Sequence, residues 1–317
     1  MKPIHVLYAV LLGSLLIGCG NLRQEVEPKG ITQQPEAIVV ACFISPQDSV
    51  LAARVTRSSP VLGVNGQIGG DIVDAVVVLS DGSQSVRLRP ARYNTNYGYP
   101  TTYFRASASS LPILVGKTYT LTVQTTDGRS VKATCTVPDA VPVEQITVDS
   151  SITTDFGERR KEYHARLRWR DPAGQPNFYR VAGNNEYKER GSIYNPATKT
   201  YRDTLFRRTG EWYFDGGSLS ADVSRDGQLM TSTRARLPPF SYSRINGVWV
   251  STPPSGRLDG YLLNVDENYY RYHDGVARQN EVRDNPFAEP VPIPTNIQGG
   301  LGCFGAYNRS TLTLYLK

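Results

Sequence analysis

Apolar and polar positions alternate with a period of two along most of this 317-residue chain, the pattern of strands that bury one face. Ala37 to Ile44 is a mostly apolar run, and Ser49 to Arg57 alternates around Val50 and Val55. A glycine-rich loop, Gly63 to Gly70, separates these from Ala75 to Leu79. That run ends in Asp81-Gly82, a hairpin-turn pair, and Gln84 to Arg89 returns. Beyond a loop at Tyr93 to Pro100, Thr101 to Ala106 reads as a strand. Thr118 to Thr125 alternates, turns at Asp127-Gly128 and comes back as Ser130 to Val137. About seven short strands in about 100 residues predict an immunoglobulin-like β-sandwich over residues 36–138.

Pro138 to Pro142 reads as a linker into a second β-rich domain, a sandwich or barrel-like body over 139–317. It opens with Glu144 to Asp149 and Glu162 to Arg170. In the latter, Tyr163, Ala165, Leu167 and Trp169 share one face, and His164, Arg166, Arg168 and Arg170 share a basic outer one. Phe178 to Ala182 is a further strand. Between Tyr187 and Pro254 the pattern is broken, with short strands at Thr200 to Phe206 and Arg234 to Leu237. Arg257 to Val265 leads into one helix over Glu267 to Arg283, with Asp266 as N-cap. Tyr269, Tyr272 and Val276 recur at helical spacing and form its packing face. Gly275 weakens the helix interior by about 1 kcal/mol, and Asn285-Pro286 ends it. Pro286 to Pro294 is extended, and two strands, Gly300 to Tyr307 and Ser310 to Leu316, close the chain. The expected fold is therefore mainly β with one α-helix.

The N-terminus breaks the alternation. Lys2 precedes an apolar run from Val6 to Ile17, about 12 residues, the length of a signal-peptide core. As a helix it spans about 18 Å against a bilayer core of about 30 Å. It targets the chain and does not span. Leu16-Ile17-Gly18-Cys19 then places a small residue before a cysteine. This resembles the lipobox of bacterial lipoproteins, which implies a signal peptide over residues 1–18 and diacylglycerol and acyl chains, such as palmitate, on Cys19. Each buried methylene contributes about 0.8 kcal/mol, so two or three chains anchor durably. Residues 19–35 are polar, with Pro28, Gly30 and Pro35, and read as a tether.

Composition sharpens this in two places. The chain holds 19 tyrosines and 2 methionines, and Tyr with Val and Thr favours strands. Its net charge is +6, but basic residues are spread among acids, with no run that would track nucleic acid. Cys42 and Cys135 fall in strands of the first domain, and an exported compartment permits a disulfide between them if first and last strands are neighbours. Two buried free thiols are the other reading. Cys303 reads as a core residue. No spacing suits zinc, and only three histidines exist, one in the signal peptide. No metal or cofactor is expected.

Candidate chemistry is sparse. Gly300-Leu-Gly-Cys-Phe-Gly305 matches a dinucleotide-binding string, but an extended proline-rich segment precedes it and a strand follows, where that motif needs strand then helix. A glycine-rich strand more often admits close approach of another backbone. Asp222, Asp226 and Gly227 read as a hairpin turn, since a calcium loop needs more oxygen ligands. No G-x-S-x-G occurs, and His164 and His273 lack an evident nucleophile partner. No catalytic residue is assigned. Trp212, Tyr213, Phe214, Tyr242 and Trp249 form the suggestive group: they either fill a thin β core or, exposed, stack on a ligand. The ligand-contact candidates are Trp212, Tyr213, Tyr242 and Trp249.

Three stretches carry a family resemblance. They are Tyr261-Leu-Leu-Asn-Val-Asp-Glu-Asn-Tyr-Tyr-Arg-Tyr272, Asn285-Pro-Phe-Ala-Glu-Pro290 and Asn296-Ile-Gln-Gly-Gly-Leu-Gly-Cys-Phe-Gly-Ala-Tyr307. With the lipobox, Ile38 to Ile44 and the Gly116 to Val123 hairpin ending at Val137-Pro138, the chain resembles the Bacteroidota lipoproteins of domain of unknown function 4249. The resemblance implies an outer-membrane lipoprotein often encoded near TonB-dependent transporters, and no established activity. The leading expectation is a non-enzymatic accessory or binding component of such a transport system. The alternatives are a carbohydrate- or peptide-binding module using the aromatic group, and a hydrolase built on clustered carboxylates. The residues after Cys19 lack a dense acidic run, which leaves the face of the outer membrane open.

Overall fold

Most strands of the first core alternate buried with half-buried or exposed residues, and this dictates how the layers meet. The computed structural model describes residues 36–59, 69–93, 101–155, 157–283, 285, 288–289 and 291–316. The stretches expected to be a signal peptide and a tether, with Cys19 between them, and most of the loops at 63–70 and 93–100 lie outside the described residues, as does Pro286. The first seven strands are β1 (Ile38–Ile44), β2 (Val50–Arg57), β3 (Val76–Ser80), β4 (Ser85–Tyr93), β5 (Thr101–Ser107), β6 (Thr118–Gln124) and β7 (Ser130–Thr136). Val40, Cys42 and Ile44 of β1, Leu51, Ala53 and Val55 of β2, Val77 and Leu79 of β3, and Tyr119, Leu121 and Val123 of β6 enter one cluster. The strands wrap around that cluster as a β-sandwich.

Twelve further strands follow: β8 (Gln145–Asp155), β9 (Glu158–Arg170), β10 (Phe178–Asn195), β11 (Thr200–Glu211), β12 (Tyr213–Phe214), β13 (Leu219–Ala221), β14 (Leu229–Thr231), β15 (Ala235–Arg236), β16 (Tyr242–Ile245), β17 (Val248–Ser251), β18 (Gly256–Val265) and β19 (Leu301–Leu316). The helix α1 (Glu267–Val282) stands between the last two. The larger sheet runs β11-β10-β18-β19-β1-β2-β5-β4-β3-β6-β7 with β13 beside β10. The smaller runs β12-β15-β9-β17-β16, with β8 and β14 also on β9. The fold is mainly β and sandwich-like, and the described strands form no closed barrel. Trp169, Tyr179, Leu167, Leu258, Leu262 and Trp212 centre a second core between the two sheets.

β19 joins the two cores. Leu301 to Ala306 pairs parallel with β1, and Tyr307 to Leu316 pairs antiparallel with β18. The sequence pattern predicts two strands here; there is one, because Asn308, a turn-forming residue type, stays in the ladder opposite Asn264 with its side chain bonded to the Pro138 carbonyl and Gln47, and only the pairing partner changes. Phe304 and Ala306 enter the first core, and Leu312, Leu314 and Leu316 pack on the second. The glycine string makes the parallel pairing possible. A Cβ on Gly302, whose φ is +103°, would stand 2.0 Å from the Val40 carbonyl oxygen, and one on Gly300 would stand 2.6 Å from that of Ile38.

Two further sequence expectations are corrected. The premise of a Cys42–Cys135 bridge fails, since β1 has β19 and β2 as neighbours while β7 pairs with β6. Both cysteines, with Cys303, are buried free thiols. Burial pushes the Cys42 thiol up to about 12. His164 is not on the open face of its strand. It is 1% exposed, with Ser151 Oγ 3.0 Å from its Nε2, and burial, then Arg234, lowers its pKa.

Helix α1 begins where Asp266 predicts. Its carboxylate accepts from Tyr269 N at 2.8 Å and from Ala306 N at 2.5 Å, so one side chain caps the helix and ties it to β19. Tyr269 is buried, with Tyr272 and Val276 half-buried beside it. Gly275 is buried too: a Cβ there would lie 2.8 Å from Pro294 Cδ. Its cost to the helix is offset by the proline-rich segment packing directly on the backbone.

Candidate functional site

A cleft of about 410 Å³ opens beside the second core, within the size range of small-molecule sites. β10 supplies one wall. Its Tyr179 and Val181 face the core, so the alternation sends Arg180, Ala182 and Asn184 to the opposite face. β18 adds Tyr261, which stands opposite Ala182, and the turn after β12 adds Gly217 and Ser218. The other wall is Trp212, Tyr213 and Phe214 with Glu211, the only carboxylate among the lining residues.

The polar groups are held in fixed positions. Asn184 Nδ2 donates to the Tyr261 hydroxyl at 3.0 Å. Arg180 Nη1 donates to the Tyr269 hydroxyl on α1 at 2.7 Å. Around Arg180 the space continues into a groove of about 350 Å³ between the Gly216–Leu219 turn and the outer side of α1, including His273. His273 lies among the rings of Phe43, Tyr269 and Tyr272. Burial first, and the nearby Arg180 second, hold its pKa down at about 4.

The four aromatic candidates separate. Trp212 is a core residue, 6% exposed, whose indole covers Gly183: a Cβ on that glycine would come within 2.2 Å of the ring. Of the two readings of this residue the core one holds, although Trp212 still lines the cleft. Tyr213, the next residue on the strand, is 58% exposed. Arg236 lies between the Tyr213 and Phe240 rings, 5.2 and 5.3 Å from their centres. Glu162 pairs with Arg236 at 3.5 Å and accepts from the Tyr242 hydroxyl at 2.7 Å. Tyr242 thus connects to Tyr213 through two charged residues, outside the cleft. Trp249 stands on β17 with Arg244 over its ring, also outside it. Sequence reasoning missed Arg180, Asn184 and Tyr261. The available signal was Arg180 itself, an arginine flanked by Tyr179 and Val181 in an apolar strand.

Asp222 and Asp226 do form a turn, with Arg225 N donating to Asp222 O at 2.6 Å and Gln228 N to Arg225 O at 3.0 Å. The third member, Asp171, was not legible. The three carboxylates offer oxygens within 4.8 Å of one another, a spacing that could hold a cation. Each already accepts hydrogen bonds: Asp171 from the Tyr179 hydroxyl and Gly227 N, Asp222 from Asn177 N, Asp226 from Gly174 N. They clasp the loop after β9 to the loop after β13.

A second feature leaves the body of the sheet. β10 pairs with β18 only from Phe178 to Glu186, yet it continues to Asn195 paired with β11 alone. Tyr187 to Arg208 is therefore a two-stranded ribbon about 30 Å long at about 3.3 Å per residue. None of its residues enters the second core. Tyr201 is 72% and Leu205 60% exposed, and Ile193 and Tyr194 stand open beside them. Six basic residues (Lys188, Arg190, Lys199, Arg202, Arg207, Arg208) face two acids (Glu189, Asp203) in this stretch, most of the chain's net charge of +6.

The β-sandwich-like architecture defines the class. The chain matches the family described as Domain of unknown function (DUF4249) over residues 23–313, and it belongs to that family. No curated protein matches it.

Proposed function

We propose that this protein is a non-catalytic lipoprotein of the outer membrane in a Bacteroidota cell, anchored through acylated Cys19, that binds a TonB-dependent transporter as an accessory component. The observation that carries this reading is the ribbon from Tyr187 to Arg208. Exposed aromatic and aliphatic side chains with unpaired cations are the composition of an interface core with a charged rim. Lys188, Arg190 and Arg202 form no ion pair among the described residues, so an acidic face on the transporter would complement them. β1, β19 and β10 run in the same direction. The ribbon consequently leaves the sheet at the end opposite Ile38, where the tether joins.

The test is photo-crosslinking from Tyr194 and Tyr201 positions in the full, lipidated chain in native membranes, read by mass spectrometry. Adducts to a TonB-dependent transporter are expected. With the probes kept in place, they should be lost when the exposed Ile193 and Leu205 beside them are changed to Asp. Crosslinks to no transporter from either position would sink the reading.

A second reading is supported by the cleft at Trp212, Tyr213 and Tyr261, whose aromatic walls and fixed hydrogen-bonding groups suit a carbohydrate or peptide ligand. The two readings are compatible, since the ribbon and the cleft occupy different parts of β10.

A further inference from the structure

From the surroundings of Arg180 we infer that the cleft takes a ligand bearing a carboxylate, which the Arg180 guanidinium anchors while the aromatic wall at Trp212 and Phe214 holds the rest of the molecule. This rests on the reading of the cleft as a ligand site and adds the chemical class of the ligand.

Arg180 is a half-buried cation. It projects from the start of β10, between the buried Tyr179 and Val181, beneath the first turn of α1. A cation taken partly out of water is normally compensated by a carboxylate. Arg180 forms no ion pair among the described residues. Among the described residues its side chain bonds only to the neutral Tyr269 hydroxyl, at 2.7 Å, and the tyrosine ring centre lies 5.9 Å from its Cζ. That bond uses one of the five N–H groups of the guanidinium and fixes its orientation. The remaining donors border both the 410 Å³ cleft and the 350 Å³ groove.

The charged groups facing this space do not cancel Arg180. Asp274 is committed to Arg278 at 2.7 Å. Glu211 and Glu281 are exposed residues on the outer lips, and neither comes within ion-pair distance of Arg180. His273, the remaining titratable neighbour in the groove, is neutral at physiological pH. The guanidinium is therefore an oriented, uncompensated donor fork at the meeting of two cavities. A planar carboxylate matches that fork with two parallel charge-assisted bonds, which a neutral hydroxyl cannot reproduce.

A free peptide C-terminus and a uronic acid both present this group, and the experiment separates them. Ligand-observed NMR on the full chain would use four probes: trigalacturonate, its methyl ester, the tripeptide Ala-Ala-Phe and its C-terminal amide. One acid is expected to bind, at least tenfold more tightly than its neutral counterpart. Arg180→Gln should remove that preference, and Arg180→Lys should restore only part of it. Ester or amide binding as well as the acid would overturn the carboxylate assignment and leave the cleft as a ligand site. Binding of no probe at millimolar concentration would overturn both. The comparison of acid with neutral probe uses the unaltered protein, so a variant that fails to fold does not remove the test. An Arg180→Gln chain that folds and still prefers the acid would also overturn the proposal.

Discussion

At the scale of single residues, the parallel pairing of β1 with β19 depends on Gly302. A side chain there meets the Val40 carbonyl oxygen at 2.0 Å and must also hold a φ of +103°. Gly116 offers a control, since its φ is +73° but nothing lies within 4 Å of the added Cβ. Gly116→Ala should cost about 1 kcal/mol, from backbone strain alone. Gly302→Ala should cost about 3 kcal/mol or more, because strain and overlap with backbone add. Denaturant midpoints of the two variants measure the difference, and equal midpoints would contradict the close approach. His273 makes a second residue-scale prediction. Its imidazole should titrate near pH 4, where an ordinary histidine titrates near 6.5. The unfolded chain then takes up this proton first, so the contribution to stability is constant above about pH 7 and is lost as pH falls from about 6.5 to about 4. Asp266 works in the opposite sense. Burial raises its carboxyl to about 6 from 3.8, so the folded chain is the one that holds its proton between those values. The two partly cancel in any bulk melting curve, and the His273 ring resonances are the clean readout. A titration midpoint near 6.5 would mean the Phe43, Tyr269 and Tyr272 rings do not enclose it.

At the scale of elements, the ribbon can be trimmed without harm to the fold. The second core takes Tyr179 and Val181 from β10 and Trp212 from just after β11, and nothing between them. Replacing Glu189–Phe206 by Asn-Gly, which joins Lys188 to its ladder partner Arg207, should therefore leave the melting temperature within a few degrees. A large drop would show that the ribbon packs on the body. The ribbon also explains what the residue pattern could and could not reveal. Strands with one buried face, such as Thr118 to Thr125 and Ser130 to Val137, were legible within a residue or two, because burial imposes the alternation. Tyr187 to Arg208 is exposed on both faces, so nothing selects a period of two, and its reach past Ala182 had no local signature. Contacts made across the sequence were equally silent. Cover for His164 comes from Ser151 and Arg234, and Asp171 stands about fifty residues from Asp222 and Asp226. Arg180 was visible as a charge in an apolar strand, but its partner Tyr269 lies on a helix far along the chain.

At the scale of the whole molecule, the chain builds two cores and then stitches them with its last strand. Ile297, Phe304 and Ala306 complete the first core although they follow the Pro138–Pro142 boundary by more than a hundred residues. Without them, β1 would present its hydrogen-bonding edge to water, with Val40 and Cys42 losing the cover of Phe304. A buried phenylalanine alone is worth about 3–5 kcal/mol when truncated, comparable to the 5–15 kcal/mol that holds a typical domain folded. The segment Glu36–Pro142, expressed by itself, is accordingly expected to lack a cooperative unfolding transition and to associate through the open β1 edge. Fusing Val291–Lys317 back to it, through a linker long enough to reach β1, should restore a cooperative transition, because the parallel pairing of Val39–Ile44 with Leu301–Ala306 is then available again. Calorimetry of the two fragments decides the matter. An isolated Glu36–Pro142 that unfolds cooperatively as a monomer would show that β19 is an addition to a self-sufficient sandwich, its pairing with β1 not required for the first core to form.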